Sequence, residues 1–228
     1  MARSRVILWS TIIIIGAMLI ITPLLANRYF ALVSAIILAL TILPFVTRFE
    51  RRKVTGRELV MLAVLGAIAA VSRVPFASIP NVQPTTFVIM MTGLVFGAES
   101  GFVVGAIAAL VSNLFLGQGP WTPWQMYSWG IIGLLAGALR NTHFLKGNFG
   151  KVVFGFAAGF MFDWIMNIWY IVSLGKDAQL SDILIYYGNG FYFDLAHALS
   201  NVFFLLVFAK SWMKILTRFK RKYGILEG

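Results

Sequence analysis

Apolar residues run in long blocks along this chain, and polar residues gather in the short breaks between them. Blocks near residues 6–26, 29–47, 58–74, 84–97, 101–117, 122–139, 152–174 and 190–212 are apolar on nearly every side rather than along one stripe. Such all-round apolar helices are read as membrane spans, and the pattern predicts eight crossings with both termini on one side. Only Asn27 and Arg28 separate the first two blocks, so they form a tight hairpin. The opening block looks at first like a signal peptide, but it continues to about Ala26 without an Ala-x-Ala cleavage site and is read as a retained helix. A charged connector, Arg48-Phe-Glu-Arg-Arg-Lys-Val-Thr-Gly-Arg57, follows it. The expected organisation is an N-terminal hairpin with its connector (1–53), a six-helix core (54–216) and a basic tail (217–228), an all-α polytopic bundle.

One core block is too short to cross by itself. Residues 85–97 make about 20 Å of helix, against a hydrocarbon thickness of about 30 Å. Either this helix begins inside a cavity that the preceding loop also enters, or the bilayer thins around it. The loop before it, Val74-Pro-Phe-Ala-Ser-Ile-Pro-Asn-Val-Gln-Pro84, carries three prolines and neutral hydrogen-bonding side chains. It is expected to be an ordered, non-helical lid on the outside. A second break, Gly117-Gln-Gly-Pro-Trp-Thr-Pro-Trp-Gln-Met-Tyr127, sets Trp121 and Trp124 among prolines and glycines. It reads either as an aromatic belt at headgroup level or as a stiff turn forming a binding rim.

Composition narrows the function classes. Apolar residues make up 60% of the 228 and charged residues 12%, with a mean hydropathy of +0.85, so the outer face must meet hydrocarbon. Cysteine is absent, which excludes disulfides, thiolate metal sites and thiol nucleophiles. The net charge of +11 does not indicate nucleic acid. On the eight-span layout sixteen of the nineteen basic residues fall on one side, leaving Arg28, Arg73 and Lys176 on the other. That bias marks the rich side as cytoplasmic, where anionic headgroups attract it.

Ionised groups within a span cost about 2.5–3.5 kcal/mol on insertion scales, so each one calls for a reason. Asp163, Asn167 and Tyr170 share one helical face, as do Asp194, His197 and Asn201. The two faces either bond one another as interhelical polar contacts, or the first lines a binding site. Zinc needs three or four ligands, more than one histidine and a neighbouring acid supply. No Gly-x-Ser-x-Gly elbow and no phosphate-cradling glycine loop occurs, so an intramembrane enzyme using Asp163, Asp194 and His197 is the weaker alternative, and any power for transport comes from elsewhere. Small residues recur four apart at Ala63 and Ala67, Gly66 and Ala70, Gly101 and Gly105, and Gly155 and Gly159. Such pairs let helices approach closely in lipid, and most must serve packing within the chain.

Several of these pieces together resemble a known family. The Ala63-x-x-x-Ala67 pair, the loop Ile79-Pro-Asn-Val-Gln-Pro84, the stretch Gly117-Gln-Gly-Pro-Trp-Thr-Pro-Trp-Gln-Met126 with Trp129-Gly130, and Asp194-x-x-His197-x-x-x-Asn201 are similar to the substrate-binding S component of energy-coupling factor (ECF) vitamin transporters. Within that family the chain looks most like the cobalamin-specific type. The resemblance covers roughly residues 54–216, and the two N-terminal spans depart from the usual six-helix form. It implies a subunit of a prokaryotic plasma membrane that captures a vitamin outside, hydrolyses nothing itself, and works with a membrane coupling protein and two cytoplasmic ATPases. Ala63 and Ala67 would dock on the coupling protein. Cobalamin would be the transported substrate, with no cofactor or metal bound. A corrinoid, large and rimmed with amides, calls for a wide, neutral, amide-rich site with aromatic walls. Asn81, Gln83, Thr85, Gln118, Trp121, Trp124, Gln125 and Tyr127 supply that chemistry, with Asp163, Asn167 and Tyr170 below them and Asp194, His197 and Asn201 as structural polar groups. A cationic vitamin would instead favour an acid under aromatics, which Asp163 offers.

Overall fold

The computed structural model describes residues 55–119, 121–174 and 179–224, with scattered positions between Val6 and Leu40. The N-terminal hairpin as a unit, most of its connector, Arg28 and Lys176 lie outside the described residues. Every regular element among the described residues is helical: α1 Gly56–Val71, α2 Thr85–Phe96, α3 Ala98–Leu116, α4 Thr122–Ala138, the single turn α5 His143–Lys146, α6 Asn148–Leu174 and α7 Leu180–Tyr223, with a 3-10 turn at Val74–Phe76. The six expected core spans correspond to α1, α2, α3, α4, α6 and α7. Four of these helices are long and apolar enough to cross a membrane, and the protein is a multi-pass membrane bundle.

The sequence explains most of the boundaries. Thr55 and Glu58 form a capping box at the start of α1. α2 and α3 are joined by Gly97 alone, whose φ of 104° lies where side-chain-bearing residues are strained. α4 begins at Thr122 with a proline in its first turn, where the ring's fixed φ and missing N–H are harmless. The stretch read as a turn through Tyr127 is therefore helix from Thr122 onward, and Trp124, Gln125 and Tyr127 are helical residues. α7 also differs from expectation. Its 44 residues reach well beyond the expected 190–212, about 66 Å at 1.5 Å per residue. A Gln179/Asp182 capping box starts it, and Gly224 in the left-handed region ends it. Apolarity marked only the part of the helix that meets lipid; good helix formers carry it on into the segment expected as a tail.

The short helix α2 sits at the centre. All twelve of its residues are buried, so it is sheathed by its neighbours rather than exposed to lipid. Its last turn is closed from the side, where Lys220 Nζ of α7 donates to Val95 O at 3.0 Å. Around it the core is built from Phe87, Met90, Met91, Trp129, Phe162 and Leu205 with α1 and α3 residues such as Leu65 and Ala109. A second cluster, Phe102, Trp124 and Leu134, is covered in part by Met18 and Leu40, which places these positions of the N-terminal region beside α4.

Glycines set the closest approaches. A methyl group at Gly101 of α3 would collide with the backbone of Gly133 in α4, and the reverse holds as well; Gly105 faces the backbone of Trp129, and Gly159 that of Ala198. The small pairs at 101/105 and 155/159 thus pack helices within the chain. Gly66 turns toward Ile107 of α3, whereas Ala63 and Ala67 are exposed. Gly133→Val should accordingly lower the melting midpoint of the purified protein by roughly 5 °C or more through overpacking. Ala67→Val should leave it nearly unchanged. Equal midpoints for the two variants would contradict this packing.

Candidate functional site

Polar side chains inside the bundle cluster at the end of α1 and under the loop that follows it. Arg73, two residues past the end of α1, is half-buried and anchors one arm of the cluster. Its Nε donates to Gln83 Oε1 at 2.8 Å, and its Nη1 donates to Ser112 Oγ at 2.6 Å and Asn113 Oδ1 at 3.0 Å. Asn113 passes the network on, its Nδ2 donating to Gln125 Oε1 at 2.7 Å and to Thr122 Oγ1 at 3.2 Å. Gln83 is tied at its backbone as well, where its N–H donates to Ser200 Oγ of α7 at 3.0 Å.

The second arm centres on Asp163 of α6. Its Oδ2 lies 3.0 Å from His197 Nδ1, and its Oδ1 accepts from Asn81 Nδ2 at 3.0 Å. His197, fully buried, has its Nε2 2.8 Å from Thr86 Oγ1, and Trp129 Nε1 donates to the same hydroxyl at 3.0 Å. Balancing donors against acceptors orders the chain: Trp129 N–H to Thr86, Thr86 O–H to His197 Nε2, His197 Nδ1–H to Asp163. The carboxylate thereby holds a second donor, from Asn81. The two arms meet at Trp129, with the Arg73 guanidinium carbon 4.9 Å from the indole centroid and Phe162 stacked on the ring at 4.7 Å.

Carboxylate, imidazole and hydroxyl follow one another here in the order of a hydrolytic triad. The Thr86 hydroxyl is wholly buried and engaged by the Trp129 N–H, so it has no face from which a substrate carbonyl could approach. The arrangement holds helices and the loop together rather than activating a nucleophile. No group of three or more His, Cys, Asp or Glu side chains among the described residues is placed to hold a metal ion.

Of the residues expected at the site, Asn81, Gln83, Gln125 and Asp163 are in this network. Gln118 touches its edge: it is exposed, with its Oε1 accepting from Thr122 at 2.9 Å and its Nε2 donating to Leu110 O. Thr85 is buried and bonds Ala69 O, within the α1–α2 packing. Trp124 is buried in the second apolar cluster, with Tyr127 against it. Trp121 and Trp169 form an aromatic contact at 6.1 Å, and Tyr170 stacks on Tyr186 at 4.0 Å. Asn167 is half-buried on α6. Among the groups expected to be structural, His197 joins Asp163, Asp194 accepts from Trp164 Nε1 at 3.0 Å, and Asn201 Nδ2 donates to Gly155 O at 3.0 Å. The α6 and α7 polar faces therefore do bond one another, through Asp163 and His197.

Arg73, Thr86, Ser112, Asn113 and Ser200 were not singled out from sequence, and Trp129 entered only as part of the Trp129-Gly130 motif. Arg73 had been placed only as one of three basic residues on the sparse side; its signal was a solitary cation directly after an apolar span. The others are small polar residues or an indole inside apolar blocks, where hydrocarbon offers no partner.

Asn81 is the tie between loop and bundle, and its backbone sits at φ 58°. Glycine keeps that conformation and deletes only the side chain. Asn81→Gly should accelerate hydrogen exchange of the 77–84 amides by roughly tenfold or more, the scale of one hydrogen bond to a charged group, with the α2 amides unaffected. Unchanged loop exchange would mean that other contacts hold the loop.

A family model described as "ECF transporter, substrate-specific component" matches residues 57–219. Among curated proteins, a UPF0397 protein of Aliivibrio fischeri (strain MJ11) is 23% identical over 169 residues, covering 71% of this chain and 79% of the relative. One from Clostridium perfringens (strain SM101 / Type A) is 28% identical over 148 residues, 60% of this chain and 74% of the relative. Another, from Lactobacillus helveticus (strain DPC 4571), is 26% identical over 172 residues, 72% and 90% respectively. No solved structure matches the chain.

Proposed function

The chain belongs to the substrate-specific components of ECF transporters, and from that premise we propose that it captures a vitamin, cobalamin, on the outer side of a bacterial plasma membrane for import driven by partner subunits. The observation that carries this reading is the polar network beneath the 74–84 loop. Its side chains are mostly amides and hydroxyls, Asn81, Gln83, Thr86, Ser112, Asn113 and Gln125, gathered around the indole of Trp129. A corrin ring bears peripheral amides on an apolar macrocycle, and an amide-rich site with aromatic walls answers both. Asp163 already receives two donors, His197 and Asn81, so it is poorly placed to act as counter-ion for a cationic vitamin.

Charge supports an outer position for this site. Arg57, Arg140, Lys146, Lys151, Lys210 and the end of α7 gather at the opposite end of the bundle, and the basic end of a membrane protein faces the cytoplasm. There a membrane coupling protein and two ATPases would engage. α1 offers a suitable face: Val60, Ala63, Val64, Ala67, Ile68 and Val71 are all exposed at helical spacing. This face borders an apolar groove of about 1060 Å³ lined by Val60, Val64, Ile68, Trp212, Ile215 and Phe219 among others. Small residues at Ala63 and Ala67 let a partner helix approach closely.

Titration calorimetry of the purified chain against a vitamin panel tests the capture reading. Binding of cobalamin without any hydrolysis is expected, and binding of another vitamin would correct the substrate while leaving the class intact. A separate assay addresses docking. Ala63→Leu combined with Ala67→Leu should keep vitamin affinity within about twofold, since neither residue touches the network, yet abolish co-purification with the coupling protein and ATPases. Retained co-purification would move the docking face elsewhere.

A further inference from the structure

Arg73 carries a charge that nothing described in the protein answers. Its three bonded acceptors, Gln83 Oε1, Ser112 Oγ and Asn113 Oδ1, are all neutral. Among the described residues no carboxylate lies within ion-pair distance of it, the one such contact being His197 with Asp163. The Nη2 edge of the guanidinium has no hydrogen-bond partner among the described residues, while Nε and Nη1 are both engaged. Three acceptors and the Trp129 ring below fix the guanidinium plane, so the open edge is held in one orientation instead of sweeping through solvent. A guanidinium fixed in this way recognises oxyanions with little further ordering. The remaining acid of the network, Asp163, is occupied by His197 and Asn81 and does not turn to Arg73.

From this geometry we infer that Arg73 is the anion-recognition residue of the capture site: its Nη2 edge receives an acidic oxygen, phosphate or carboxylate, of the transported vitamin. The inference rests on the capture reading above and makes it more specific. It adds a fixed cation to the neutral, amide-rich site that the resemblance to the cobalamin type implies. Cobalamin meets that requirement through the phosphodiester of its nucleotide loop, which carries one negative charge. Riboflavin, which is neutral, and thiamine, which is cationic, do not.

The test compares two corrinoids that differ by the anion alone, cobinamide and cobinamide phosphate, by calorimetry on the full chain in detergent or nanodiscs. The wild-type protein should bind cobinamide phosphate more tightly by roughly tenfold or more, the scale of one charge-assisted hydrogen bond. Arg73→Gln should remove that preference by weakening the phosphate ligand alone, and Arg73→Lys should restore part of it. The wild-type comparison needs no variant, so it remains decisive if Arg73→Gln fails to fold. Equal wild-type affinities for the two, or an Arg73→Gln variant that weakens both equally, would overturn the inference and leave Arg73 a purely structural cation. If no corrinoid binds, the cobalamin assignment fails separately, and the panel of pantothenate, biotin, riboflavin and thiamine decides for Arg73. A carboxylate vitamin with Arg73-dependent affinity sustains the inference, and riboflavin or thiamine as the tightest ligand overturns it. Binding of no vitamin at all would overturn both readings.

Discussion

Hydrocarbon provides no hydrogen bonds, so a polar side chain inside this bundle must find its partner within the protein. That constraint organises the site. Asp163 is held by an imidazole and an amide, the imidazole by a threonine hydroxyl, and that hydroxyl by an indole N–H. Because the links come from the 77–84 loop, α2, α4, α6 and α7 in turn, satisfying one carboxylate fixes the relative positions of five segments. Among the described residues the one buried side-chain atom left without a partner is Asn201 Oδ1, which shows how nearly the network closes.

The polar network depends on packing that is itself unusual in its closeness. α2 could not stand in lipid alone at twelve residues, and its complete burial is possible because the helices around it come together at glycines. Gly101 against Gly133, Gly105 against Trp129 and Gly159 against Ala198 remove the side chains that would otherwise separate the backbones. One consequence reaches the site directly. The α3–α4 contact at Gly105 seats Trp129, whose indole N–H then meets Thr86 at the first turn of α2, and whose ring lies beneath Arg73. Small residues at one level of the bundle place a donor at another.

Much of this architecture was legible from the chain. The six core blocks correspond to six helices because a segment apolar on all sides has to sit in lipid or among other helices; the shortness of the 85–97 block reads as a cavity start or a thinned bilayer, whereas the helix there is buried on every side by its neighbours. Asp163 and Asn81 stood out in the sequence because an acid inside a span and an amide in a proline-stiffened loop are costly or unusual placements, and the two bond one another in the polar network. What escaped was pairing. Nothing in the spacing of Arg73 and Ser112, nearly forty positions apart in sequence, shows that α3 returns its polar end to the exit of α1. Trp124 and Trp129 illustrate the same gap. They are neighbouring tryptophans on one helix, but Trp124 packs in an apolar cluster with Phe102 and Leu134 while Trp129 carries the network. Local pattern marks the apolar blocks as helices, though it reads the helical residues 122–127 as part of a turn; it does not say which side of a helix faces another helix's hydroxyl.

The depth at which the charges sit also follows a physical order. An ionised side chain is most costly at the centre of a span and less so toward its ends. Arg73 lies just beyond α1, where its long side chain reaches Trp129 and Asn113 while its backbone stays in the loop. Asp163, by contrast, is held well inside α6, with about half of the helix on either side of it, and its short side chain is largely buried; it is given its donors directly by His197 and Asn81. The residue with reach is left with an open donor edge, and the residue without reach is closed off. A site arranged in this way keeps its deepest charge internally satisfied and presents its accessible one, which is the order needed if a ligand is to be met at the mouth of the bundle without disturbing the helices below.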